Sequence, residues 1–186
     1  SWAEENILPD TFRLEKGSID SLSVSYGEVG QLYVLDGTRV ESAYDAGSSQ
    51  YRFEMQGGRL LLPFKGCPEF SLMSGTAQFN HASRRVNVPS CRLTTAAGGY
   101  LDIKGDWDGS SSSWTANMVV NGVPASSVLE DHWKKHVQGS VSGGIDLRGG
   151  RDGVTHVAGL ARLQGGMLTG LPVLDRLALF CGSSRF

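Results

Sequence analysis

Asp102, Asp106 and Asp108 alternate along LDIKGDWDGSSSS, and carboxylates so spaced are the first candidates for acid–base or metal chemistry. Glycoside cleavage needs one carboxyl protonated and another ionised, with Glu130 as a further donor, and calcium needs several oxygens around one point. Outward strand positions and Asp-Gly turns call for polar residues in any case, and no glycine-centred loop closing on a glutamate follows. A solvated strand face is the stronger reading. His132 and His136 lie four apart on a stretch with helical spacing, so one metal could meet both. DHWKKH nevertheless lacks the glutamate beside the first histidine that a metalloprotease needs, and histidines near a helix C-terminus are favoured there without a metal. No GxSxG elbow occurs, the serines crowd into loops, and GSVSGG and GLARLQGG do not combine strand, phosphate-loop lysine and helix. An enzyme is therefore not expected, nor a cofactor or metal. Trp107 and Trp114 flank the serine loop and would stack on a sugar ring, although aromatics beside a hairpin turn more often pack across strands.

What dominates the sequence is a period of two. Leu22, Val24 and Tyr26 alternate with Ser21, Ser23 and Ser25, which predicts a strand over 18–26 that follows one over 12–15 through a turn at Lys16-Gly17. Asp36-Gly37 predicts a hairpin between 31–35 and 38–45, because Asp-Gly supplies the positive φ angles of a tight turn. Tyr51, Phe53 and Met55 alternate before Gly57-Gly58, which predicts a second hairpin into 59–64. Ala77 and Phe79 share a face, and Val86 and Val88 open a strand that Pro89 bends or places at an edge. Leu101, Ile103, Gly105 and Trp107 face one way and Tyr100, Asp102, Lys104 and Asp106 the other, and Trp114–Val120 returns alongside. Pro124 to His136 breaks the period and predicts a helix of about three turns, with Leu129 and Trp133 four apart. Val141, Gly143, Ile145 and Leu147 resume the alternation, 154–163 follows the Gly149-Gly150 turn, and 171–180 carries a helical stripe. Successive neighbours of this kind predict one mainly β domain over 1–186, an antiparallel meander sheet, curved into a groove or half-barrel, with two short helices.

Composition agrees with that reading. The 186 residues hold 25 glycines, placed mostly between periodic runs, as a fold with many reversals requires. Lys and Arg number 17 against 19 Asp and Glu, with neither sign gathered into blocks, so nucleic acid is not an expected partner. No run approaches the roughly 18 apolar residues of a spanning helix. The chain opens at Ser1 with neither a methionine nor a leader, which suggests a piece of a longer protein. Cys67, Cys91 and Cys181 have no zinc spacing; a Cys67–Cys91 bridge and buried free thiols both fit.

From Arg85 onward a series of degenerate motifs follows in order. A strand and Gly-Gly turn lead to a strand ending in G-x-W-D, a Trp-led strand and N-G-V-P entering a short helix. Then come QGSVSG, an aliphatic strand and GLPVLDRLA. In this order the stretch 85–186 resembles the β-rich repeat region of bacterial AsmA-like envelope proteins. The resemblance implies a long sheet curled around an apolar groove, a periplasmic or cell-envelope location, and an inner-membrane anchor in the full-length protein. It also implies a role in phospholipid transfer or envelope assembly, with an acyl-chain ligand, envelope protein partners and membrane contact through parts outside this piece. On that reading the lipid-facing side chains are Leu101, Ile103, Met118, Val120, Val141, Ile145, Leu147 and Leu160, although for each of them ordinary core is the stronger reading. The alternative is an extracellular carbohydrate-binding or adhesive module using Trp107 and Trp114.

Overall fold

The computed structural model describes residues 15–28, 31–62, 69–129, 134, 136–151 and 153–166. Its strands are β1 (Lys16–Glu28), β2 (Gln31–Asp45), β3 (Gln50–Gln56), β4 (Arg59–Leu61), β5 (Phe70–Asn80), β6 (Arg85–Thr95), β7 (Tyr100–Asp108), β8 (Ser113–Pro124), β9 (Ser140–Gly150) and β10 (Gly153–Gln164). One helical turn, α1 (Ala125–Val128), follows β8. All ten strands form a single antiparallel sheet ordered β1-β2-β3-β5-β6-β7-β8-β9-β10, with β4 between β2 and β5. Extensive contacts join only neighbouring strands, so the sheet is an open, curved meander and not a closed barrel.

Several turns expected from the sequence are absent, and in each case a glycine does something else. Lys16 and Gly17 lie inside β1, paired with Ala43 and Ser42. Asp36-Gly37 does not reverse the chain either. Gly37 has φ +70° and absorbs a bulge, since the β1–β2 register shifts between Leu22 and Val24 after an opposite shift between Ile19 and Leu22. β2 therefore runs on as one strand of 15 residues.

Gly57-Gly58 is likewise no hairpin, because β3 and β4 occupy the same lane. β2 pairs Arg39 with Gln56 and Asp36 with Arg59, so the register runs on across the two glycines, and β5 continues in the same way from Met55–Gly75 to Arg59–Ser71. The Leu72 amide donates to the Gly58 carbonyl at 3.0 Å, which holds the junction to β5. Pro89 sits in an interior strand at the register shift between Val88 and Cys91, where its missing N–H costs no ladder bond. Gly149 and Gly150 remain paired with Val154 and Gly153, so the chain reverses only after Gly150.

The three-turn helix is also corrected. A single continuous helix is interrupted: one helical turn spans Ala125–Val128, Leu129 is extended at φ −100°, ψ 150°, and Lys134 is helical again. Two serines and a valine follow Ala125, all weak helix formers, and nothing there propagates a second turn. Residues 130–133, 12–14, 63–68 and 167–186 lie outside the described residues, and with them His132, Trp133, Glu130, Cys67, Cys181 and the 171–180 stripe.

Candidate functional site

Directly opposed residues of an antiparallel ladder project from the same face, so the register shows what each face presents. One row crosses the whole sheet: Ile19, Val40, Met55, Gly75, Cys91, Ile103, Met118, Ile145 and Gly159. On the same face a second row joins Leu72, Leu93, Leu101, Val120, Gly143 and Ala161. A third runs Tyr44, Tyr51, Phe79, Val86, Trp107, Trp114, Gly149 and Val154. Aromatic contacts tie its first end, with the Tyr44 and Tyr51 ring centroids 4.9 Å apart. These three rows consist of apolar residues and glycine.

The face is buried in the middle and open towards both edges. Phe70, Leu72, Leu93, Leu101 and Val123 form the buried cluster, with Met55, Cys91, Ile103, Met118 and Val120 packed half-buried against it. Ile19 is 49% exposed and Val157 65% exposed at the two edges. Among the described residues the only further element against the sheet is α1, beside β8. Towards β9 and β10 the face is lined by small residues. A Cβ at Gly143 would stand 2.9 Å from the Ala161 Cα, and one at Gly159 3.1 Å from the Ile145 Cα. These backbones approach as glycine alone allows, leaving a low floor beside Met118 and Ile145.

Seven of the eight lipid-facing candidates share this face. Leu101, Ile103, Met118, Val120, Ile145 and Leu147 lie in its rows, and Val141 opposes Val123 and Leu163. Leu160 does not. It is in register with Gly144, and through it with Val119 and Asp102, on the opposite face, and it is 64% exposed. The alternation within β10 alone does not fix which face Leu160 takes; its register with Gly144 does. The contributions of β1–β6, among them Ile19, Val40, Met55, Phe70, Leu72 and Leu93, were missed. Reading three strand-internal glycine sites as turns left those strands without a common register.

Trp107 and Trp114 are a directly opposed pair on the apolar face. Each indole rests on a glycine: a Cβ at Gly109 would meet the Trp107 ring at 2.7 Å, and one at Gly149 would overlap the Trp114 ring.

The opposite face is mainly polar, with Val119 and Leu160 among its exceptions. Arg52, Gln78, Asn87, Asp106, Thr115, Arg148 and His156 form its counterpart row. A depression of about 540 Å³ overlies it, lined by Gln50, Gln78, Asn80, Arg85, Asn87, Asp106 and Asp108 among others. The three aspartates considered for catalysis all lie here, each with a cross-strand partner. Arg92 donates twice to Asp102 at 2.7 Å and stacks 4.7 Å over the Tyr100 ring. Asn87 donates to Asp106 at 2.8 Å, and Arg85 to Asp108 at 2.9 Å.

The partners of Asp102 and Asp108 hold those two carboxyls ionised. The Arg92 guanidinium lowers Asp102, while the Ser110 hydroxyl and amide, followed by Arg85, lower Asp108 to about 2. A glycosidase acid needs its carboxyl raised, so the geometry gives these aspartates a pairing role. Among the described residues no group of His, Cys, Asp and Glu is arranged to hold a metal. Cys91 is a free thiol on the apolar face, pushed further towards its neutral form by burial and then by Asp102, so it acts as a small hydrophobe and is not bridged.

The same carboxyls make stability depend on acid. Asp36, Asp45, Asp102 and Asp108 all titrate lower when folded than their ordinary value near 3.8, so their contribution is complete above that pH. It is lost as pH falls towards the folded value of about 2 for Asp108. Thermal unfolding followed from pH 6 to about 2 is expected to show little change above roughly pH 4.5 and a steep loss below. Asp108→Asn should flatten that loss, and an equally steep acid limb in the variant would show that other groups cause it.

Comparison with family models, with curated proteins and with solved structures gives no match.

Proposed function

We propose that the chain is a non-enzymatic segment whose apolar sheet face seats acyl chains, contributing to phospholipid transfer or envelope assembly. One observation carries the reading. The apolar row from Ile19 to Gly159 crosses all nine lanes of the sheet and stays partly open to solvent at its edges. Soluble proteins seldom leave a continuous apolar strip of this extent uncovered unless something binds it. Covering it with hydrocarbon yields about 25 cal/mol per Å² of apolar surface removed from water, without any directional contact. An apolar row without donors or acceptors suits chains of CH₂ groups and offers little to a sugar or nucleotide. The AsmA-like resemblance of 85–186, and with it a periplasmic or envelope location, belongs to this same proposal.

Native mass spectrometry of freshly purified protein, with solvent extraction of the same sample, tests it. Co-purifying phospholipid or fatty acid is expected. Ligand-free protein that also fails to take up added phospholipid from detergent micelles would overturn the reading.

A second reading, carbohydrate binding, is favoured by Trp107, which is 41% exposed beside its directly opposed partner Trp114. Glycan binding lost in both Trp107→Ala and Trp114→Ala would select it.

A further inference from the structure

We propose that β10 is an assembly edge that pairs antiparallel with β10 of a second copy, extending the sheet and its apolar face across a two-fold axis. Among the described residues β10 pairs with β9 alone, and all 12 of its residues are exposed. Its outer backbone donors and acceptors therefore face solvent along a long strand, and the partner that satisfies them all at once is another strand.

The two edges of the sheet are guarded differently. β1 carries Lys16 and Asp20, four serines between Ser18 and Ser25, and two register irregularities, the devices that keep an edge from pairing. β10 has neither proline nor lysine, and its one irregularity lies at its start, between Val154 and His156. Val157 and Leu160 point to opposite faces and are 65% and 64% exposed, so β10 is greasy on both sides.

A second copy fits because β10 complements itself. A two-fold axis normal to the sheet keeps each face continuous with itself, which limits the register to pairings of residues from like faces. With Leu160 opposite its own equivalent, Val157 meets Leu163 on the apolar face and Gly159 meets Ala161. On the polar face Arg162 meets Ala158 and His156 meets Gln164, so no like charges oppose. Moving the axis to Gly159 would set Arg162 against His156 and lose both apolar pairs. The inference rests on the strand edges and is independent of the ligand proposal.

Sedimentation velocity at about 100 μM is expected to show a dimer. Leu160→Lys and Leu160→Glu each place like charges opposite one another in that register and should raise the dimer Kd at least about tenfold. An equimolar mixture of the two should recover the dimer as a heterodimer, which a folding defect could not do. Hydrogen exchange of wild-type protein across a concentration series gives an answer without substitution: amides of β10 gain protection with concentration and those of β1 do not. A monomer at that concentration, a dimer indifferent to Leu160→Lys, or open-ended oligomers involving β1 would each overturn the proposal.

Discussion

Gly58→Ala is expected to lower the free energy of unfolding by about 3–5 kcal/mol, whereas Gly37→Ala, in the facing strand, lowers it by about 1–2 kcal/mol. Both glycines have positive φ, +90° and +70°, so both substitutions incur the strain of a left-handed backbone. They differ in what a methyl would meet. At Gly37 there is nothing within 4 Å, and strain is the whole effect. At Gly58 the methyl would stand 2.7 Å from the Asp36 carbonyl oxygen and 2.9 Å from the Thr38 amide nitrogen, and would overlap the Thr38 hydroxyl. Those are ladder atoms of β2 and Thr38 is fully buried, so neither can yield without opening the β2–β4 pairing. Urea unfolding of the two variants separates the terms. Equal losses would mean that the lane is not continuous across Gly57-Gly58 in solution.

That site also shows where sequence legibility ends. Alternation located almost every strand, because period two is a property of neighbours in sequence: Tyr51, Phe53 and Met55, or Leu101 and Ile103, betray their face without reference to any other strand. Whether a glycine pair reverses the chain or lets it jog is decided by the strand alongside. Asp36-Gly37 and Gly57-Gly58 carry hairpin chemistry, yet β2 and β3–β4 face one another there and the positive φ angles go into a bulge and a close crossing. Bulges also come in cancelling pairs. β1 and β2 slip by one residue after Ile19 and slip back before Val24, which restores the row to which Ile19 belongs. A one-residue slip left uncorrected would have turned every later side chain to the other face.

The candidate face was legible to the same degree. Where the meander is regular, as from β7 to β9, six candidates read from the sequence share one face, and Val141 joins them beyond the bulge at Val120/Val123. Leu160 failed because an edge strand greasy on both sides has no polar alternation to fix its phase. The three aspartates were read correctly as a solvated face, since their pairing to Arg92, Asn87 and Arg85 depends on strands that outward polar residues already implied. The helix expected from Pro124 to His136 is broken at Leu129, after Ser126, Ser127 and Val128, which are weak helix formers.

Charge placed on one face of β8–β9 should strongly weaken acyl-chain binding, and the same charge on the other face should leave it nearly intact. Ile145→Glu enters the continuous row between Met118 and Gly159. With only hydrogen at position 159 beside it, the carboxylate can reach water past the low floor, so the fold survives while the row is interrupted. Val119→Glu sits one residue from Met118, 43% exposed on the polar face between Asp102 and Gly144. One apolar side chain contributes about 1.5–3 kcal/mol when covered, so Ile145→Glu is expected to weaken binding of a fluorescent fatty acid by about ten- to hundredfold. Val119→Glu is expected to stay within about twofold, because it removes no contact from the row. Both variants carry the same added charge, so a generic electrostatic effect on an anionic probe would weaken the two alike. That result, with both variants folded by circular dichroism, would take the ligand off the apolar face altogether.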